Sequence, residues 1–145
     1  MTLSPQPVRF AGSGLCALAD FITWLTDLVI GRKLWQEWSE YWPGADDPFA
    51  QFVNPVHKHV VTSTLSGDLG WNSMAIEGDP VAYVEELKSG DGGGISVAGG
   101  VDTVRSLFLA GAIDDLTLTT HPVTGVGRRL FDETVSITRR WRPVR

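Results

Sequence analysis

The sequence predicts an α/β fold with a largely parallel central sheet. Short apolar runs alternate along the chain with segments of helical periodicity, and the run Ile95-Ser96-Val97-Ala98 opens through Gly99-Gly100 directly into an amphipathic segment. Parallel neighbours need long crossover connections, and helices supply them.

Residues 1–12 hold Pro5 and Pro7 with few apolar partners in register, and they read as a loose arm ahead of a single domain over 13–145. Leu15, Leu18, Ile22 and Leu25 fall at helical spacing, and Leu28-Val29-Ile30 follows as a short buried strand. Leu34, Trp35, Trp38, Tyr41 and Trp42 predict a second helix that stops at Pro43-Gly44. Its tryptophan face reads as core or subunit contact rather than a pocket wall.

Asp46-Asp47-Pro48 reads as an acidic loop, His59 to Ser63 as a strand, and Met74-Ala75-Ile76 as another. The best-marked helix starts at Asp79-Pro80, a cap followed by proline at the first helical position. It turns Val81, Val84 and Leu87 inward and ends at Lys88 and Gly90. Asp91-Gly92-Gly93-Gly94 links it to the strand at Ile95, and the helix from Val101 runs to Gly111. Leu116 to Thr120 alternates as a half-buried strand, and Thr134 to Arg140 supplies a last one.

Composition narrows the function. A chain of 145 residues buries roughly two thirds of its unfolded surface, enough for one core. The formal charge is −5 with both signs interspersed, so there is no basic stripe for nucleic acid. Arg139, Arg140, Arg142 and Arg145 read as a solvated tail. The apolar stretch from Leu15 to Ile30 is broken by Asp20 and Asp27 and is too short for a membrane span of ~20 residues. The start does not resemble a secretory signal, and the one cysteine, Cys16, reads as a small core residue, so a cytoplasmic setting is expected.

Chemistry concentrates at three turns, each at the carboxyl end of an expected strand: Gly31-Arg32, Thr62-Ser63-Thr64 and Gly99-Gly100. Ligands of open α/β sheets bind at those ends. A glycine pair lets a ligand approach the backbone, and the unpaired N–H groups of a first helical turn attract phosphate. A nucleotide is therefore the first ligand to consider. His57 and His59 share a strand face at i and i+2, but no Cys or acidic partner stands at ligand spacing, so no metal site is expected. His121 reads as a backbone-bonded histidine at a strand end. No Gly-x-Ser-x-Gly elbow or Cys/His pair offers a nucleophile.

The order of several segments carries a family likeness. Gly99-Gly100 with Leu107, then Ala110-Gly111-Ala112-Ile113-Asp114-Asp115-Leu116-Thr117-Leu118, then His121-Pro122-Val123, then Gly125-Val126-Gly127-Arg128-Arg129-Leu130-Phe131 resembles the reductase domain of bacterial riboflavin biosynthesis and its dihydrofolate-reductase-like relatives. Leu28-Val29-Ile30-Gly31-Arg32-Lys33 and Lys58-His59-Val60-Val61-Thr62-Ser63 fit that family's earlier strands. The resemblance implies a three-layer dihydrofolate-reductase-like sandwich, a small heterocyclic substrate such as a pteridine or pyrimidine, and NADPH as cofactor. It implies that the Gly99-Gly100 turn, with Val101 and Thr103 of the helix it opens, lies against the pyrophosphate, that Gly31 and Arg32 belong to the cofactor site with Arg32 near a phosphate, and that Thr62 and Ser63 lie near the adenosine 2′-phosphate.

Two departures stand against full transfer. Leu34 occupies a position where the family commonly has a phosphate-binding threonine, and residues 1–20 hold no counterpart of the family's first strand with its substrate-side acid. Asp20 and Asp27 are the nearest acids in sequence, but both are spaced as polar helix positions. The ending also leaves little room for a final hairpin. The sequence thus predicts either a reductase or a non-catalytic nucleotide-binding or dimerisation module. Six tryptophans and the missing outer strands predict a homodimer.

Overall fold

The computed structural model describes residues 25–116, 124–127 and 129–131. Strand β1 (Leu25–Gly31) leads into helix α1 (Arg32–Tyr41), a single 3-10 turn (Trp42–Gly44) and a short helix α2 (Pro48–Val53). Strand β2 (His57–Val61), the hairpin of β3 (Asp68–Gly70) and β4 (Ser73–Ala75), helix α3 (Pro80–Ser89), strand β5 (Gly94–Ala98) and helix α4 (Val101–Leu109) complete it. The sheet order is β3-β4-β2-β1-β5. All neighbours are parallel except the β3–β4 hairpin.

This topology explains the three layers. The chain steps outward from β1 to β2 and β4, then returns across the sheet to β5 on the far side of β1. Crossovers keep one hand, so reversing the direction of travel puts the returning helix on the opposite face. Alternation along β1 matches. Leu28 packs with Val53, Val56, Trp38, Trp42, Phe49 and Phe52 beneath α1 and α2, whereas Val29 packs with Val97, Val84, Val104, Leu107 and Phe108 beneath α3 and α4. Val29, Val84 and Leu107 are almost wholly buried, and each such side chain contributes roughly 1.5–3 kcal/mol. The structure is thus the expected α/β sandwich with a mostly parallel sheet.

Helix ends follow from local chemistry. Asp79 caps α3 by accepting the Ala82 N–H at 3.0 Å, with Pro80 at the first helical position. Lys88 near its end reaches Asp114 at 3.0 Å. Gly111, at φ +83°, ends α4 with paired bonds from Gly111 N to Phe108 O and from Ala112 N to Leu107 O. Arg105 donates to the carbonyls of Arg129 and Leu130, and Phe131 stacks on Phe108, so residues 129–131 lie against α4.

Four expectations are corrected. Leu25 and Asp27 lie in β1 rather than on a helix, because the edge-on pairing with β5 begins at Leu25. Pro48 opens α2 instead of closing a loop, since Asp47 accepts both the Phe49 and Ala50 N–H groups. Strand β2 runs from His57 to Val61, two residues earlier than expected, because His57 already pairs with Asp27. The three-residue β3 is an added antiparallel edge. The arm at 1–12 and the strands expected at 117–120 and 134–140 fall outside the described residues. Among the described residues no helix is long and apolar enough to cross a membrane.

Candidate functional site

Strands β1, β2 and β5 end in one row. Gly31 pairs with Val61, and Ile30 with Ala98, so the turns after all three emerge together. The strand order reverses beside β1, so the crevice between the ends of β1 and β5 is the topological switch point, the preferred ligand position of open α/β sheets. Two helices begin there. Gly31 stands at the cap position of α1 and Gly100 at that of α4, and neither end has a side-chain cap. Their first-turn N–H groups lack intrahelical partners and carry the positive end of the helix dipole.

The glycines have separate reasons. A Cβ on Gly31 would stand 2.8 Å from Thr103 Oγ1 and 3.2 Å from the Gly99 carbonyl oxygen, so α4 could not approach β1 as it does. Gly99, at φ +72°, would collide with Leu34 Cδ2. Gly100, at φ +60°, meets nothing closer than Thr103 Oγ1 at 3.7 Å. Packing within the turn therefore accounts for Gly31 and Gly99. At Gly100 the backbone conformation demands glycine while the space before it is open, and that is the place where a ligand can reach the α4 amides.

The other expected residues lie around this crevice. Arg32, half-buried at the start of α1, donates to Gln36 Oε1 at 3.3 Å. Val101 and Thr103 occupy the first turn of α4, where Asp102 pairs with Arg105 at 3.8 Å. Thr62 follows β2, but its hydroxyl oxygen accepts the Thr64 and Leu65 N–H groups at 3.1 and 3.2 Å and shapes its own turn. Ser63 beside it is exposed.

A second polar centre lies about four residues down β1, ~13 Å from that row at the usual strand rise. His59 Nε2 donates to Asp27 Oδ1 at 2.7 Å, and His59 Nδ1 bonds the Tyr83 hydroxyl at 2.8 Å. Burial works against the Asp27 charge, but the hydrogen bonds from His59 and Thr26 outweigh it and hold its pKa below the ordinary 3.8. Burial, with the charges of Asp27 and Glu86, pushes the Tyr83 phenol up. Sequence reasoning paired His57 with His59 and missed both true partners of His59, which stand 32 and 24 positions away. The two histidine rings meet edge to face at 4.7 Å, and the described residues hold no group of three metal-ligand side chains.

On the opposite face Lys58 is fully buried. Its ammonium donates to the carbonyls of Asn54 and Val56 at 3.1 and 2.7 Å and lies 4.1 Å from the ring centre of Trp71. No carboxylate among the described residues pairs with it, and burial pushes its pKa down to about 8. Trp71 adopts φ +47° in the β3–β4 turn, and its indole N–H donates to Asn54 Oδ1 at 2.8 Å. Trp38 and Trp42 pack against Phe49 as part of this layer, in keeping with the core reading of the tryptophan face.

Comparison with known proteins bears on the crevice. A family model described as the RibD C-terminal domain matches residues 38–145, a stretch that begins within α1 and includes the Gly99-Gly100 turn. The uncharacterized protein YyaP of Bacillus subtilis is 27% identical over 118 residues, covering 77% of this chain and 62% of that protein. The secreted triacylglycerol lipase LIP2 of Malassezia globosa is 38% identical over 88 residues, covering 58% of this chain and 19% of the lipase. The chain thus spans less than two thirds of either relative. With the sheet order and the turn geometry in agreement, the chain belongs to the RibD C-terminal domain family, in the dihydrofolate-reductase-like group.

Proposed function

We propose that this chain is an NADPH-dependent reductase of a pteridine, pyrimidine or related heterocycle, with the cofactor's pyrophosphate at the start of α4. The observation that carries this reading is the side-by-side start of α1 and α4, both without side-chain caps, at the switch point of the sheet. Membership of the RibD C-terminal domain family supports the reductase role.

The residues fit such a nucleotide. Gly100 leaves the approach open, and the N–H groups of Val101, Asp102 and Thr103 supply donors. Arg32 brings a cation to the same crevice and, with Thr62 and Ser63, is assigned to the 2′-phosphate. Gly31 and Gly99 hold the two helix starts together. NADPH supplies the hydride when bound, and the chain's task is to bind it, orient it and exclude water. A homodimer is part of the proposal, resting on Tyr41, which is 63% exposed at the end of α1.

A second reading, a nucleotide-binding or dimerisation module without turnover, is favoured by one contact. Leu34 sets an apolar group against Gly99 where a phosphate-binding hydroxyl is expected. Incubation with NADPH and a panel of pterins and pyrimidines separates the two. Loss of NADPH absorbance with one heterocycle supports the reductase. Thermal stabilisation by NADPH without turnover supports the module, and neither response overturns both.

A further inference from the structure

The Asp27–His59–Tyr83 chain opens onto an unassigned cavity of about 340 Å³ at the end of the sheet away from the nucleotide crevice. Among the described residues its walls are Asp27, Tyr83, Glu86, Leu87 and Ile95, with Gly90, Gly92 and Gly93 at the rim. That volume suits a small organic molecule.

Hydrogen-bond polarity identifies the kind of molecule. The Asp27 carboxylate, ionised at neutral pH, can only accept, and it does so from Thr26 at 2.6 Å and from His59 at 2.7 Å. His59 therefore carries a hydrogen on Nε2. In the neutral imidazole Nδ1 is then bare and accepts the hydroxyl hydrogen of Tyr83. Tyr83 thus spends its one hydrogen on His59, and its remaining oxygen lone pair is left for the cavity.

Every polar side chain that the described wall offers is in this way an acceptor: Tyr83 Oη, Asp27 and Glu86. Leu87 and Ile95 give an apolar floor, and Gly90, Gly92 and Gly93 leave the rim without side chains. We propose that this cavity is a second small-molecule site, for a compact organic cation that carries at least two N–H donors, such as an amidinium or guanidinium. Tyr83 Oη and the Asp27 carboxylate are its receiving atoms, and His59 is the positioning residue that fixes Tyr83 as an acceptor. The site is independent of the nucleotide reading.

The test is titration of the full chain, at slightly alkaline pH, with benzamidine and with its neutral analogue benzamide, followed by amide chemical shifts. Saturable benzamidine shifts at Tyr83, Gly92 and Gly93 are expected, with benzamide at least tenfold weaker. Tyr83→Phe and Glu86→Gln should each weaken benzamidine about tenfold and leave NADPH affinity unchanged, whereas Glu85→Gln, the same charge change outside the cavity, should leave benzamidine unaffected. Melting curves identify any variant that does not fold, and Glu86→Gln, at an exposed position, then decides alone. Equal binding of benzamide and benzamidine, shifts elsewhere, or full affinity in a folded Tyr83→Phe or Glu86→Gln variant overturns the proposal.

Discussion

The backbone N–H of Gly31 donates to the carbonyl oxygen of Gly99 at 3.1 Å, which ties the end of β1 to the turn that starts α4. The bond sets two helix N-termini beside one another, and Thr103 Oγ1 packs where a Gly31 side chain would stand.

Gly31→Ala should therefore destabilise the fold by ~1–3 kcal/mol through overpacking. Thr103→Ala removes the nearest clashing atom, so the double variant should be more stable than the sum of the two single effects predicts. Urea denaturation of the four proteins measures the coupling. Additive effects would mean that Thr103 does not decide the need for glycine.

Arg32 should discriminate between nucleotides. Charge-assisted hydrogen bonds are roughly twice as strong as neutral ones, so NADPH should bind more tightly than NADH. Arg32→Gln should remove most of that difference with little effect on NADH. Identical dissociation constants for the two nucleotides in the unmodified protein would remove the 2′-phosphate role from Arg32, Thr62 and Ser63.

Lys58 predicts a particular pH dependence. Its folded pKa of about 8 lies below the ordinary 10.5, so between these values the unfolded chain holds more protons than the folded one. Stability from this group therefore rises with pH across that window, and below it the folded protein bears the full burden of a buried charge. Lys58→Met should flatten the rise, and its stability at neutral pH should equal or exceed that of the original protein. Denaturation midpoints of both proteins from neutral to alkaline pH supply the check; parallel curves would contradict the account.

The oligomeric state is a further outcome. Sedimentation equilibrium at micromolar concentration should give a dimer mass, and a clean monomer would remove the dimer from the proposal.

The parts of the fold that were legible in the sequence are those set by local chemistry. Asp79-Pro80 announces α3 because a capping side chain and a proline both act within one turn, and Ile95 to Gly100 reads as strand and turn because burial and positive φ each select residue types. The start of β1 was hidden because Leu25 matches both the helical spacing of Leu18 and Ile22 and a buried strand position. Helix α2 is only six residues long, so Asp47 and Pro48 read as a loop. At the site, the glycine turns and Arg32 were visible as types in order, but the cause of each glycine was not, since Thr103 and Leu34 meet Gly31 and Gly99 only after folding. Asp27, His59 and Tyr83 come from three elements, and no periodicity joins them.

The central claim is that the first-turn amides of α4 hold the nucleotide. Gly100→Val is a poor probe, because φ +60° strains a branched side chain whether or not a ligand binds there. Val101→Pro is cleaner. Proline is tolerated at the first helical position, and the preceding Gly100 already has an extended ψ of 132°, so the change removes one N–H donor with little effect on α4. Calorimetric titration of NADPH should give one site per chain in the original protein and an affinity at least tenfold lower in Val101→Pro at matched stability. Equal affinities in the two proteins would place the nucleotide elsewhere and contradict the account.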